Sequence, residues 1–276
     1  FTLTDSGNAI SKLAAGVSGE RIGELTLVNG AAMEVASIGS QNGVLASGDI
    51  SLTVNGADLT VSQAINTTSE TTQTNDGANA ITIANTGGAS NMHAGITAPG
   101  DIAFTGTTNI TGATVATQAN EAGVNNANIT ISGDGGTLGS GAKLQTVQGT
   151  IALAGDNITL TNSASAVETT SGAITVSGDG FTVDNSAELK SDIGVVTFSG
   201  ANASVAGGAT VETDSSAISF TGTGATVEGG ATVRTTSSNI TFSGANAAIK
   251  AGVETNSGDV TLSGGNTALN GGTVTT

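Results

Sequence analysis

From Val167 onward the chain repeats itself, and this constrains its fold more than any composition does. A five-residue pattern of apolar, polar, apolar, hydroxyl and glycine starts at Ile174, Val196, Ile218, Ile240 and Val260, at spacings of 22, 22, 22 and 20 residues. Self-similarity at such a period marks a repeat architecture in which each unit buries its apolar face only against its neighbours. Within each copy the apolar residues alternate with polar ones, the period of a strand with one buried face. Ile174 and Val176 are therefore expected to point inward, and Thr175 and Ser177 outward.

The same strand continues upstream at Ile151, Ile129, Ile102, Ile81, Ile50, Leu25 and Phe1, with intervals that loosen toward the N-terminus. Two further strands fit in each repeat. The second carries Phe181/Val183, Ala203/Val205, Ala225/Val227, Ala247/Ile249 and Thr267/Leu269. The third reads apolar-x-Thr/Ser at Val167, Leu189, Val211, Val233 and Val253, and upstream at Leu144, Val115 and Ile65. Gly, Asn, Asp and Ser pairs such as Gly207-Gly208, Gly229-Gly230 and Asp179-Gly180 separate the strands and tolerate the positive φ of tight corners. The fold class this predicts is all-β: a single-stranded parallel β-helix (β-solenoid) with three short strands per coil of about 22 residues and roughly twelve coils. At ~4.8 Å per coil the rod would be about 55–60 Å long. Right-handed winding is the usual preference for parallel crossovers.

Residues 1–276 read as one solenoid domain, less regular over 1–128 and regular over 129–276. The excess residues at 66–80 and 118–127 are expected to be surface loops. Ala9 to Ala15 is the one stretch compatible with a short helix. Two columns test the register. Phe198, Phe220 and Phe242 fall at equivalent inward sites and should stack. The outward residues of the third strand are Glu168, Lys190, Glu212, Arg234 and Glu254, a structural charge ladder of alternating sign. Opposite charges facing across strands contribute roughly 0.2–1 kcal/mol each, and like charges cost as much.

Composition bounds function. The chain has 42 Gly, 1 Pro, 6 Phe and no Cys, Trp or Tyr, so Val, Ile, Leu and Ala must build its core. Its net charge is −16, and its six cations are scattered, which argues against nucleic acid because phosphate neutralisation needs clustered Lys and Arg. No run of 18 apolar residues is present, so no membrane insertion is expected. The chain opens on Phe rather than Met, starts on strand one of a coil and stops on strand three at Val274 to Thr276, and neither a signal segment nor a cap is expected in it. The expectation is a processed product or a piece of a longer solenoid, or a rod whose open edges pair end to end with another copy.

The strand-one pattern, the coil length and the Ala/Gly/Thr/Asn-rich composition resemble those of the filamentous-haemagglutinin-like adhesins, secreted bacterial exoproteins built on long β-helices. The likeness spans nearly the whole chain, through motifs of low specificity. It implies an extracellular or cell-surface rod, with cell-surface glycans as partners beside the self-association the open edges suggest, and it carries over no binding residues. The Asn-Pro-Asn type secretion motif of that family is missing, the single proline being Pro99.

The candidate surface ladder is the outward hydroxyl array of strand one: Thr175/Ser177, Thr197/Ser199, Ser219/Thr221, Thr241/Ser243 and Thr261/Ser263. Such a flat array resembles the ice-binding face of solenoid antifreeze proteins, although Thr and Ser also suit any exposed strand. Ala152, Ala154, Ala103 and Ala84 interrupt it upstream. A polysaccharide-binding or polysaccharide-degrading β-helix is the third class. Catalysis needs positioned acid–base groups, and no paired carboxylates at a fixed outward site are evident, so the expectation is no enzyme and no catalytic residue. No cofactor or metal site is expected either. Ca²⁺ is the one cation the acidic surface would attract, but Gly133-Asp134-Gly135-Gly136 reads as a turn. His93 reads as a loop histidine without a second ligand.

Overall fold

A computed structural model of the chain describes residues 1–16, 20–67, 79–118, 125–161, 165–184 and 186–276. They form a parallel β-solenoid without helices. Third strands stack as an 11-stranded ladder from Val44–Leu45 to Thr273–Thr275, with Ala15 bridged to Val44 in the coil before it, so the winding makes about 11 turns, in line with the roughly twelve expected. First and second strands belong to one 22-stranded sheet, joined where Ile81–Met92 and Ile102–Ile110 run through the first corner without a break.

The register follows the sequence period. Ile174 pairs with Val196, Val196 with Ile218, Ile218 with Ile240 and Ile240 with Val260. The loosened intervals upstream hold the same column, with Leu25 opposite Ile50, Ile50 opposite Ile81, and Ile81 opposite Ile102. Extra residues are taken up at corners, because a one-residue slip inside a strand would turn its buried face outward. The expected loops at 66–80 and 118–127 fall largely outside the described residues. The stretch proposed as helical is instead extended: Lys12–Leu13 is a strand whose Leu13 is buried opposite Val35. Pairing with the next coil outweighs the local helix preference of this alanine-rich segment. Among the described residues the antiparallel exception is a small hairpin, Ser37–Ile38 with Gln41–Asn42.

The interior is a set of apolar columns. Phe198 stacks on Phe220 at 4.5 Å between ring centroids and Phe220 on Phe242 at 4.6 Å, each pair within 3° of parallel. Phe181 reaches Phe198 from strand two at 6.2 Å and 55°. The layers keep their volume by exchange across the first corner. Where strand one carries Phe198, Phe220 or Phe242, the inward residue five positions on is Ala203, Ala225 or Ala247. Where strand one carries the smaller Val176, that position is Phe181. Close packing requires this, because neither an oversized layer nor a void is tolerated cheaply.

One interior column is polar. The last inward position of strand three holds Thr117, Thr146, Thr169, Ser191, Thr213, Thr235 and Thr255, all at most 5 % exposed. A buried hydroxyl needs partners, and here the third corner supplies them. Thr146 Oγ1 donates to the Gly149 carbonyl at 2.6 Å. Ser191 Oγ donates to the Gly172 carbonyl at 3.1 Å and accepts the Gly194 N–H at 2.8 Å. Thr255 Oγ1 accepts the Gly258 N–H at 3.0 Å. These hydroxyls tie the corner to the strand. Ser191→Ala is expected to lower the unfolding free energy by about 1–3 kcal/mol, the cost of leaving the Gly194 N–H without its partner. A urea titration checks this, and an unchanged midpoint would show the corner to be satisfied otherwise.

Candidate functional site

The outward hydroxyls of strand one lie in register. Thr175, Thr197, Ser219, Thr241 and Thr261 are successive partners on adjacent coils. Ser177, Ser199, Thr221, Ser243 and Ser263 follow just past the strand end and are exposed. This second column is partly turned back on the backbone, since Ser199 Oγ and Thr221 Oγ1 donate at 3.4 Å to the Val176 and Phe198 carbonyls of the preceding coil. The alanines stand where the array was expected to fail, with Ala152 opposite both Thr130 and Thr175. A parallel outward column on strand two, Thr137, Thr159, Thr182, Ser204 and Thr226, continues the hydroxyl surface around the first corner. The sequence signal for it was present, one residue before each inward Leu or Val.

The five charged residues of strand three are also vertical neighbours: Glu168 faces Lys190, Lys190 faces Glu212, Glu212 faces Arg234 and Arg234 faces Glu254. Only part of this alternation becomes close ion pairing. Arg234 Nη2 donates to Glu212 Oε1 at 2.7 Å. Lys190 Nζ instead lies 3.8 Å from Asp192 Oδ1 on its own coil. A flexible ammonium in water has several near-equal partners, and each is worth little. Elsewhere Lys250 Nζ reaches Glu228 Oε1 at 3.0 Å.

The outward column continues upstream of Glu168 as Gln145 and Ala116, each in register with the next. Beside it runs a second column at the third corner, Val147, Thr170 and Asp192. Between the two lies a groove of about 460 Å³, floored by Thr117, Thr146 and Thr169. Gln145 Nε2 donates to Glu168 Oε2 across the coil step at 2.9 Å. In the sequence Glu168 and Lys190 stand out as part of a charge ladder, whereas Gln145, Thr170 and Asp192 carry no signal of their own. The cue was the side-by-side placement of two columns, which appears only once the corner geometry is known.

The acidic residues of the first corner are engaged with backbone. Asp134 Oδ1 accepts the Asp156 N–H at 2.9 Å, Asp156 Oδ1 the Asp179 N–H at 2.7 Å, and Asp179 Oδ1 the Ala201 N–H at 2.6 Å. Among the described residues, no three of His, Cys, Asp and Glu converge on a point a metal ion would occupy. His93 is exposed beside the buried Met92. No helix of the described chain is long and apolar enough to cross a membrane.

These features define a repeat protein of the parallel β-solenoid class. No family model, curated protein or solved structure matches the chain.

Proposed function

We propose that the chain is a non-catalytic rod, part of an extracellular or cell-surface adhesin or of a self-assembling extracellular filament. The observation that carries this reading is the repetition itself. Parallel coils stack along the whole described chain, and over the regular coils from Ile174 to Val260 they present the same outward hydroxyl column at each step. A stiff, extended surface suits multivalent contact, in which many weak contacts sum. The resemblance to filamentous-haemagglutinin-like adhesins points the same way, with other copies and surface glycans as partners. Ice binding is the second reading, favoured by the unbroken run of Thr and Ser partners from Thr175 to Thr261.

One set of measurements on the purified chain separates the classes. Retention on glycan-coated or cell surfaces, or filaments in negative-stain electron micrographs, is the expected result. Thermal hysteresis with faceted ice growth would replace it by the ice-binding reading. Release of reducing or unsaturated sugar ends from polysaccharides would replace it by an enzyme.

A further inference from the structure

We infer that the groove on the third sheet binds an extended, uncharged oligosaccharide lying along the rod axis. This rests on the adhesive reading and deepens it by naming the contact site and the class of ligand. The groove has two rows of side chains, one residue of each row per coil and successive coils ~4.8 Å apart, a rise close to that of one sugar in an extended chain. Ala116, Gln145, Glu168 and Lys190 form one row across four coils. Val147, Thr170 and Asp192 form the other.

The chemistry of the rows suits polyols. The amide of Gln145, the carboxylates of Glu168 and Asp192 and the ammonium of Lys190 place donors and acceptors in alternation. Gln145 and Glu168 hold each other at 2.9 Å, which leaves the amide oxygen and the second carboxylate oxygen to face a ligand. Ala116 is small, and Val147 is 39 % exposed. Together they supply apolar surface for the C–H faces of a sugar ring. The electrostatics select against anionic glycans. Lys190 already lies 3.8 Å from Asp192, and a net charge of −16 repels a polyanion. Among the described residues no aromatic side chain lines the groove, so each contact is weak and affinity must come from the length of the ligand.

The test is a heteronuclear NMR titration of the full chain with neutral gluco-, xylo- and galacto-oligosaccharides of increasing length, beside oligogalacturonates. Saturable shifts confined to residues 145–147, 168–170 and 190–192 are expected with at least one neutral series. Affinity should rise until the oligomer spans Ala116 to Lys190 and then level off. Gln145→Ala and Lys190→Ala should each weaken binding ~3–10-fold, the loss of one or two hydrogen bonds, with the thermal midpoint retained. Lys250→Ala, on another face, should leave binding unchanged. Shifts elsewhere, preference for the oligogalacturonates, or no saturable shift with any neutral series would overturn the assignment. A rod that adheres to surfaces while both groove variants bind as well as the parent would remove the groove and leave the adhesive reading standing.

Discussion

Phe220→Ala is expected to lower the unfolding free energy by about 3–5 kcal/mol, the range for truncating a fully buried phenylalanine. Phe220 is 0 % exposed and lies between Phe198 and Phe242 at 4.5 and 4.6 Å. Its removal empties the middle of a three-ring stack, and neither neighbour can collapse into the space while its own strand stays in register. Ala225, the small partner across the corner, cannot fill it either. The loss should show as a lower urea midpoint and as faster amide exchange centred on residues 196–249. Phe220→Leu, which retains most of the volume, should cost less than half as much. A loss below about 1 kcal/mol would mean the layers are not packed as tightly as a protein interior normally is.

The second large effect concerns a glycine. Gly222→Ala would place a Cβ 1.9 Å from the Gly200 carbonyl oxygen, a backbone atom that cannot turn aside. The same clash recurs through the column: Gly178 against the Gly155 oxygen at 2.0 Å, Gly200 against Gly178 at 2.0 Å, and Gly244 against Gly222 at 1.8 Å. These residues are glycine because successive coils approach too closely at the first corner for any side chain, not because φ is positive. The substitution must separate two coils locally, and a loss of roughly 3 kcal/mol or more is expected, beyond ordinary overpacking. Gly265→Ala is the control. It meets nothing within 4 Å and should be neutral within about 0.5 kcal/mol. Equal midpoints for the two variants would show that the corner opens without cost.

The left-handed corner residues follow a different rule, and the sequence carries its trace. Gly135, Asn157, Gly180, Asn202, Gly224, Asn246 and Asn266 all have positive φ, between 56° and 73°. Asn tolerates this conformation, as Gly does. Through Asn246 the two alternate, with Gly180 and Gly224 each lying against the Asn side chain of the coil before it. A Cβ at Gly180 would lie 2.6 Å from Asn157 Oδ1, and one at Gly224 2.5 Å from Asn202 Oδ1. Where Asn266 breaks the alternation, its amide donates to Asn246 Oδ1 at 3.3 Å.

The hydroxyl columns were legible because outward and inward positions alternate along a strand. The charge ladder was legible as a column but not as a set of contacts. Arg234 joins Glu212, while Lys190 turns to Asp192. The buried hydroxyls of strand three looked like ordinary strand residues. Their role depends on the carbonyls and N–H groups of a corner whose path no short motif encodes.

The sequence by itself determined the period, the alternation of faces and the parallel stacking. Each is written many times over, and a slip in any copy would turn that strand's buried residues outward. Only the tertiary structure decided which glycines answer to close approach and which to positive φ. It also chose the partner of each surface charge and set two columns apart to leave a groove. Those outcomes depend on distances between coils and on small energy differences among solvated side chains, and neither is written in the order of the residues.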